Sequence, residues 1–180
     1  FYIIAFVFGS IWGSFANVCI YRLPANKNVA TGRSCCPNCN KLIKWYDNIP
    51  IISFLFLQGV CRNCSKKINT QYLLVELISG FSFAICYYFF GISITTLLFF
   101  ILTICFVIIF FIDLKHFIIP NELTITLMVI GIIKSIDPDL NNEIFPNFIN
   151  SVLGGVIGYM LIWLIILFYK EKKNLKIIKK

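Results

Sequence analysis

Charge is scarce in this chain. Of 180 residues only 13% are charged, while 59% are hydrophobic and the mean hydropathy is +0.85. So few polar residues cannot clothe a water-facing surface, which excludes a soluble domain. Acids are scarcer still, eight against sixteen Lys and Arg, for a net charge of +8. His116 is the only histidine. It is read as an interface residue ahead of a ligand or base, and no nucleophilic serine with a positioned base can be read. Internal repeats and low-complexity linkers are lacking. The first apolar run has no charged n-region and no small-residue cleavage site, so it is not read as a signal peptide. The chain opens on Phe1 inside that run and stops in lysines, so both ends are expected to be clipped.

Long apolar runs are what the chain has. They predict an all-α polytopic membrane protein of about five spans. The first span is 1–21, followed by a polar loop over 22–71 that holds five of the eight cysteines. Spans follow at 72–90 and 94–112, separated by a turn at Gly91. The short connection Asp113–Pro120 precedes Asn121, a plausible helix N-cap, with Glu122 favourable in the first turn. The run Leu123–Ile133 is marginal for crossing unaided. A loop Lys134–Asn147 precedes the last span, 148–169, whose Gly154, Gly155 and Gly158 suit close helix approach. A basic tail, 170–180, ends the chain. The stretch 72–169 is read as one transmembrane core.

The positive charge is a topology signal rather than a nucleic-acid surface. Eight basic residues lie in 22–67 and six in 170–180, leaving only Lys115 and Lys134. The cysteine loop carries one acid, Asp47, so it is expected in the cytoplasm. Counting spans then puts Asp113–Asn121 and the tail inside. Lys134–Asn147, with Asp137, Asp139 and Glu143, falls outside. Every basic cluster lands on one side.

Within the loop, Cys36-Pro-Asn-Cys39 and Cys61-Arg-Asn-Cys64 form two C-x-x-C knuckles separated by 21 residues. Each knuckle turns two thiolates toward one ion, and two complete a tetrahedral zinc site. The gap is one residue beyond the usual range. Disulfides compete as a reading, but cytosolic thiols stay reduced. A redox motif needs only one pair and a thioredoxin-like context. Four protein ligands leave no open position, so the expected role is structural. Cys35 is an extra thiol beside the first knuckle. Cys19, Cys86 and Cys105 read as small buried hydrophobes.

Two acids sit at apolar positions. Glu76 lies about one turn inside the second span, either paired with a loop Arg or Lys or serving a binding or conformational role. Asp113 ends the third span. It is either a solvated helix-end residue, with Lys115 and His116 compensating its unfavourable dipole position, or a catalytic carboxylate at the membrane boundary. Hydrolysis by carboxylates needs two of them. One acts as base on water while the protonated partner polarises the carbonyl.

Four stretches, in order, carry a resemblance: GSFANVCIYRLP (13–24), the paired knuckles around WYDNIP (36–64), YLLVELISG (72–80) and IDLKHFIIPNELT (112–124). Together they resemble the type IV prepilin peptidases over most of residues 9–127. The resemblance implies an inner-membrane aspartic peptidase of type IV pilus or type II secretion systems. It would remove the leader of prepilins or pseudopilins at the cytoplasmic face. N-methylation of the new terminus with S-adenosylmethionine is also implied. Asp113 matches the first catalytic aspartate of the family, and Cys36, Cys39, Cys61 and Cys64 match its zinc set. No residue can be assigned to S-adenosylmethionine.

The family's second aspartate, in a G-x-G-D motif, has no counterpart among these 180 residues. The expectation is that it lies past Lys180 and that this polypeptide alone does not cleave. The rival readings are a methyltransferase-only or regulatory relative, and a non-enzymatic zinc-binding membrane scaffold.

Overall fold

The computed structural model describes residues 1–136 and 148–178. Among these the chain is helical, with no strand beyond two isolated bridges. The helices are α1 (Tyr2–Arg22), α2 (Ile52–Phe56), α3 (Gln71–Phe90), α4 (Ile94–His116), α5 (Asn121–Ile136) and α6 (Phe148–Ile178). Four of them are long and apolar enough to cross a membrane: α1, α3, α4 and the first part of α6. This is a multi-pass membrane protein. At 16 residues α5 reaches only about 24 Å, short of a hydrocarbon core of about 30 Å.

The chain divides into two units, 1–127 and 128–180. In the first, α1, α3 and α4 pack on one another around Ala16, Cys19, Ile20, Val75, Ile104, Ile108 and Ile112. Leu123 and Leu127, from the start of α5, close over this core. Cys19 and Cys105 are buried in it as small apolar residues. Cys86 is half-buried, its Sγ 3.9 Å from the Thr103 hydroxyl.

Small residues set how closely α1 meets α3. A Cβ on Gly9 would lie 2.7 Å from the Ser79 carbonyl oxygen, and one on Gly13 would lie 2.8 Å from the Cα of Glu76. Gly80 answers from α3, against Ser10 and Phe6. Removing the side chain lets the backbones touch, which suits helices that gain nothing from water exclusion in lipid. The signal was Gly9-x-x-x-Gly13, not the Gly154 cluster. Cβ atoms on Gly154, Gly155 and Gly158 would meet nothing within 4 Å among the described residues.

Helix ends differ from the sequence expectation in three places. α4 continues to His116, so Asp113 lies inside its last turn, and Phe117 ends it in the left-handed region at φ 54°. α5 starts one residue early. The Pro120 carbonyl accepts the first helical bonds from Leu123 and Thr124, taking the N-cap place expected of Asn121. In the second unit α6 runs on through the first tail lysines to Ile178. Asp137, Asp139 and Glu143, on which part of the topology argument rested, lie outside the described residues.

Candidate metal centre and membrane-boundary acids

The loop between α1 and α3 buries little of its apolar matter, only Cys36 and Gly59 being buried, so its backbone is organised by hydrogen bonds. Arg22 begins the work. Its Nη1 donates to the carbonyls of Asn28, Val29 and Thr31 at 3.1, 3.3 and 2.7 Å, and its Nη2 to that of Gly32 at 3.3 Å. A guanidinium with its fork of five donors can gather several carbonyls in this way. At the loop's other end the Asn17 amide donates to the Tyr72 carbonyl at 3.0 Å, tying α1 to the start of α3. The sequence reading did not identify either clamp.

The two knuckles are near copies. Cys36 N–H donates to the Lys41 carbonyl at 3.0 Å, and Cys61 N–H to that of Lys66 at 2.9 Å. Asn40 N–H returns to the Cys36 carbonyl at 2.9 Å, and Ser65 N–H to that of Cys61 at 2.8 Å. The residue after each second cysteine, Asn40 or Ser65, sits at φ 54°. Asparagine tolerates that region, and serine less well.

These turns bring the Sγ atoms of Cys36, Cys39, Cys61 and Cys64 within 4.8 Å of one another. Across the knuckles, Cys36 and Cys64 stand 4.0 Å apart. A tetrahedral ion with bonds of about 2.3 Å to sulfur requires S···S edges of about 3.8 Å. The donor set fits zinc in number, type and spacing. Disulfides do not form, as all eight cysteines are free. Cys35, adjacent in sequence, is exposed and outside the cluster.

The thiols are set up to ionise unequally. Backbone N–H from Lys66, then the Asn38 amide at 3.5 Å, hold Cys64 down at about 6. The N–H of Cys39, against some burial, lowers Cys36. Lys41 N–H pulls Cys39 down, but burial and the three neighbouring cysteines outweigh it and hold it up at about 11. Without a cation four sulfurs this close cannot all carry charge. Beside the cluster, Arg62 grips Asp47 through both carboxylate oxygens, the shortest contact 2.7 Å, which lowers the Asp47 pKa.

Of the two readings of Glu76, the ion pair is not the one the structure shows. It is 8% exposed at the α1–α3 contact and makes no salt bridge with Lys or Arg among the described residues. Its Oε2 accepts the backbone N–H of Ile51 at 2.8 Å. Ile51 lies at φ 62°, ψ −53°, and Ile52 N–H bonds to the Pro50 carbonyl at 2.6 Å. That is a γ-turn of the rare, strained hand, centred on a β-branched residue. Such a conformation costs about 1–3 kcal/mol and persists only where its surroundings enforce it.

Asp113 is exposed in the last turn of α4, with Lys115 and His116 beside it in sequence. It makes no salt bridge among the described residues. Chain direction fixes its position: α1 runs toward the loop, α3 away from it, and α4 back. Asp113 therefore stands at the end of the three-helix unit from which the cysteine loop emerges. Ile20, Val75 and Ile112 meet in the core beneath it.

Comparison with known proteins completes the picture. The bacterial peptidase A24 N-terminal domain matches residues 7–90, and the type IV leader peptidase family matches residues 100–173. A prepilin leader peptidase/N-methyltransferase of Myxococcus xanthus is 34% identical over 89% of this chain, and one of Neisseria gonorrhoeae is 34% identical over 93%. The Klebsiella pneumoniae protein of that name is 34% identical over 88%. The chain spans 46%, 65% and 70% of these three relatives. No solved structure matches.

Proposed function

The chain belongs to the type IV leader peptidase family, and on that premise we propose that it is a prepilin peptidase of the bacterial inner membrane. The observation that carries this reading is the convergence of Asp113 and the four-cysteine loop at one end of α1, α3 and α4. A prepilin has a polar leader and an apolar stem. Its stem stays in lipid while the scissile bond meets a carboxylate at the water boundary. Asp113 is one member of the dyad. One carboxylate draws a proton from water, and its protonated partner polarises the carbonyl. The basic charge of the loop, eight Lys and Arg against one acid, supports a cytoplasmic position for this end.

Cys36, Cys39, Cys61 and Cys64 hold zinc. Zinc bound by four thiolates supplies structure rather than a Lewis-acid site, because no position stays open. The relatives are named N-methyltransferases as well, and the reading extends to N-methylation of the trimmed terminus, with S-adenosylmethionine as donor. Pseudopilins are substrates by the same chemistry of leader and stem. The test is Asp113→Asn in the whole gene product, expressed with a prepilin. The leader should remain attached, with cleavage slowed at least about 10²-fold and bound zinc unchanged. Leader removal at the parent rate would refute the reading.

A further inference from the structure

The Glu76–Ile51 hydrogen bond has a consequence for the segment that follows it. α3 has 20 residues and is about 30 Å long, so its ends lie near the two edges of the hydrocarbon core. Glu76 is five residues in, which puts its Cα about 7.5 Å inside that edge. Ile51 is bonded to it, and α2 begins at the next residue. A helix of the connecting loop thus starts at or below headgroup depth, and its side chains suit that place. Ile52, Leu55 and Phe56 are 52%, 63% and 85% exposed. Phe54 turns the other way, onto Gly59, where the chain reverses at φ 69°.

Aromatic and basic residues flank this apolar tip. Trp45 is 78% exposed, and Lys44 stands over the Tyr46 ring at 5.5 Å. The loop carries eight basic residues and one acid, which Arg62 neutralises. Tryptophan and tyrosine favour the membrane–water interface, and a basic surround favours anionic headgroups.

We propose that α2 is an in-plane membrane anchor. It seats Ile52, Leu55 and Phe56 among the acyl chains of the leaflet on the loop side and holds the four-cysteine cluster against that surface. Glu76 is the positioning residue, since it secures the strained turn from which α2 starts. The proposal rests on the span assignment and not on the peptidase reading. Its failure would leave cleavage by Asp113 unaffected.

The test uses the 180-residue chain in vesicles of phosphatidylcholine and phosphatidylglycerol. Phe56→Trp is introduced after Trp12, Trp45 and Trp163 are replaced by Phe, leaving one indole. Lipids brominated near the headgroup end of the acyl chain should quench most of its emission, while aqueous acrylamide should quench little. Adding Glu76→Ala should shift the indole toward acrylamide. Access to acrylamide without bromolipid quenching would overturn the proposal, because α2 would then stand in water. Shielding from both quenchers would also overturn it, because α2 would then be covered by protein, such as a second copy or an apolar substrate stem. An unchanged profile with Glu76→Ala would remove Glu76 from the account. Leu55→Trp, read in the same way, serves if Phe56→Trp does not insert.

Discussion

Replacing Gly9 and Gly13 together by alanine tests how the three-helix unit is held. The added Cβ atoms would sit 2.7 Å from the Ser79 carbonyl oxygen and 2.8 Å from the Cα of Glu76. Both obstacles are backbone, so no rotamer change relieves them. Reaching an ordinary contact requires α1 and α3 to part by roughly 0.6 Å or more, and a gap of about 0.5–1 Å forfeits a quarter to a half of the attraction across it. Overpacking of this kind costs about 1–3 kcal/mol per site. Alanine returns about 0.8–1 kcal/mol of helix propensity at each. The two sites share one interface and are not fully additive. A net loss of about 2 kcal/mol follows. The assay is reversible denaturation in detergent, followed by far-ultraviolet circular dichroism. Gly154→Ala with Gly158→Ala is the control, since those Cβ atoms meet nothing within 4 Å among the described residues. If the first pair costs nothing, or the control pair costs as much, the close-approach argument is wrong.

Other outcomes follow from the loop. Cys64→Ser should reduce bound zinc from one ion per chain to a small fraction, measured by elemental analysis, whereas Cys35→Ser, outside the cluster, should leave it unchanged. Asp47 is held below the usual carboxylate range by Arg62. It therefore stabilises the loop above the unfolded carboxyl value, and that contribution disappears as pH falls through the lowered folded value. Asp47→Asn should be more readily proteolysed in the loop than the parent at neutral pH, and the difference should vanish in strong acid. Arg22→Lys keeps the charge but loses the fork of donors. Amide exchange over 28–32 should accelerate, with α1 itself unaffected.

The one-dimensional pattern was enough to determine that the chain lives in a membrane, because length and apolarity of runs are properties of the chain itself. It also carried the four-cysteine site. Each C-x-x-C turn is local, and both had only to meet. Asp113 at a span end was legible for the same reason. Its position at the end of the helical unit from which the cysteine loop emerges needed only the count of spans. The tertiary structure decided the rest. Which small residues form the helix contact depends on what stands opposite, and that selected Gly9, Gly13 and Gly80 over the Gly154 cluster. Glu76 was visible as an acid in lipid, and a charged partner was one expectation. Its partner is a backbone N–H 25 residues earlier, at Ile51, a strained turn that no propensity predicts. Composition determines the solvent a chain must accept. Only packing determines which groups, once buried, have to satisfy one another.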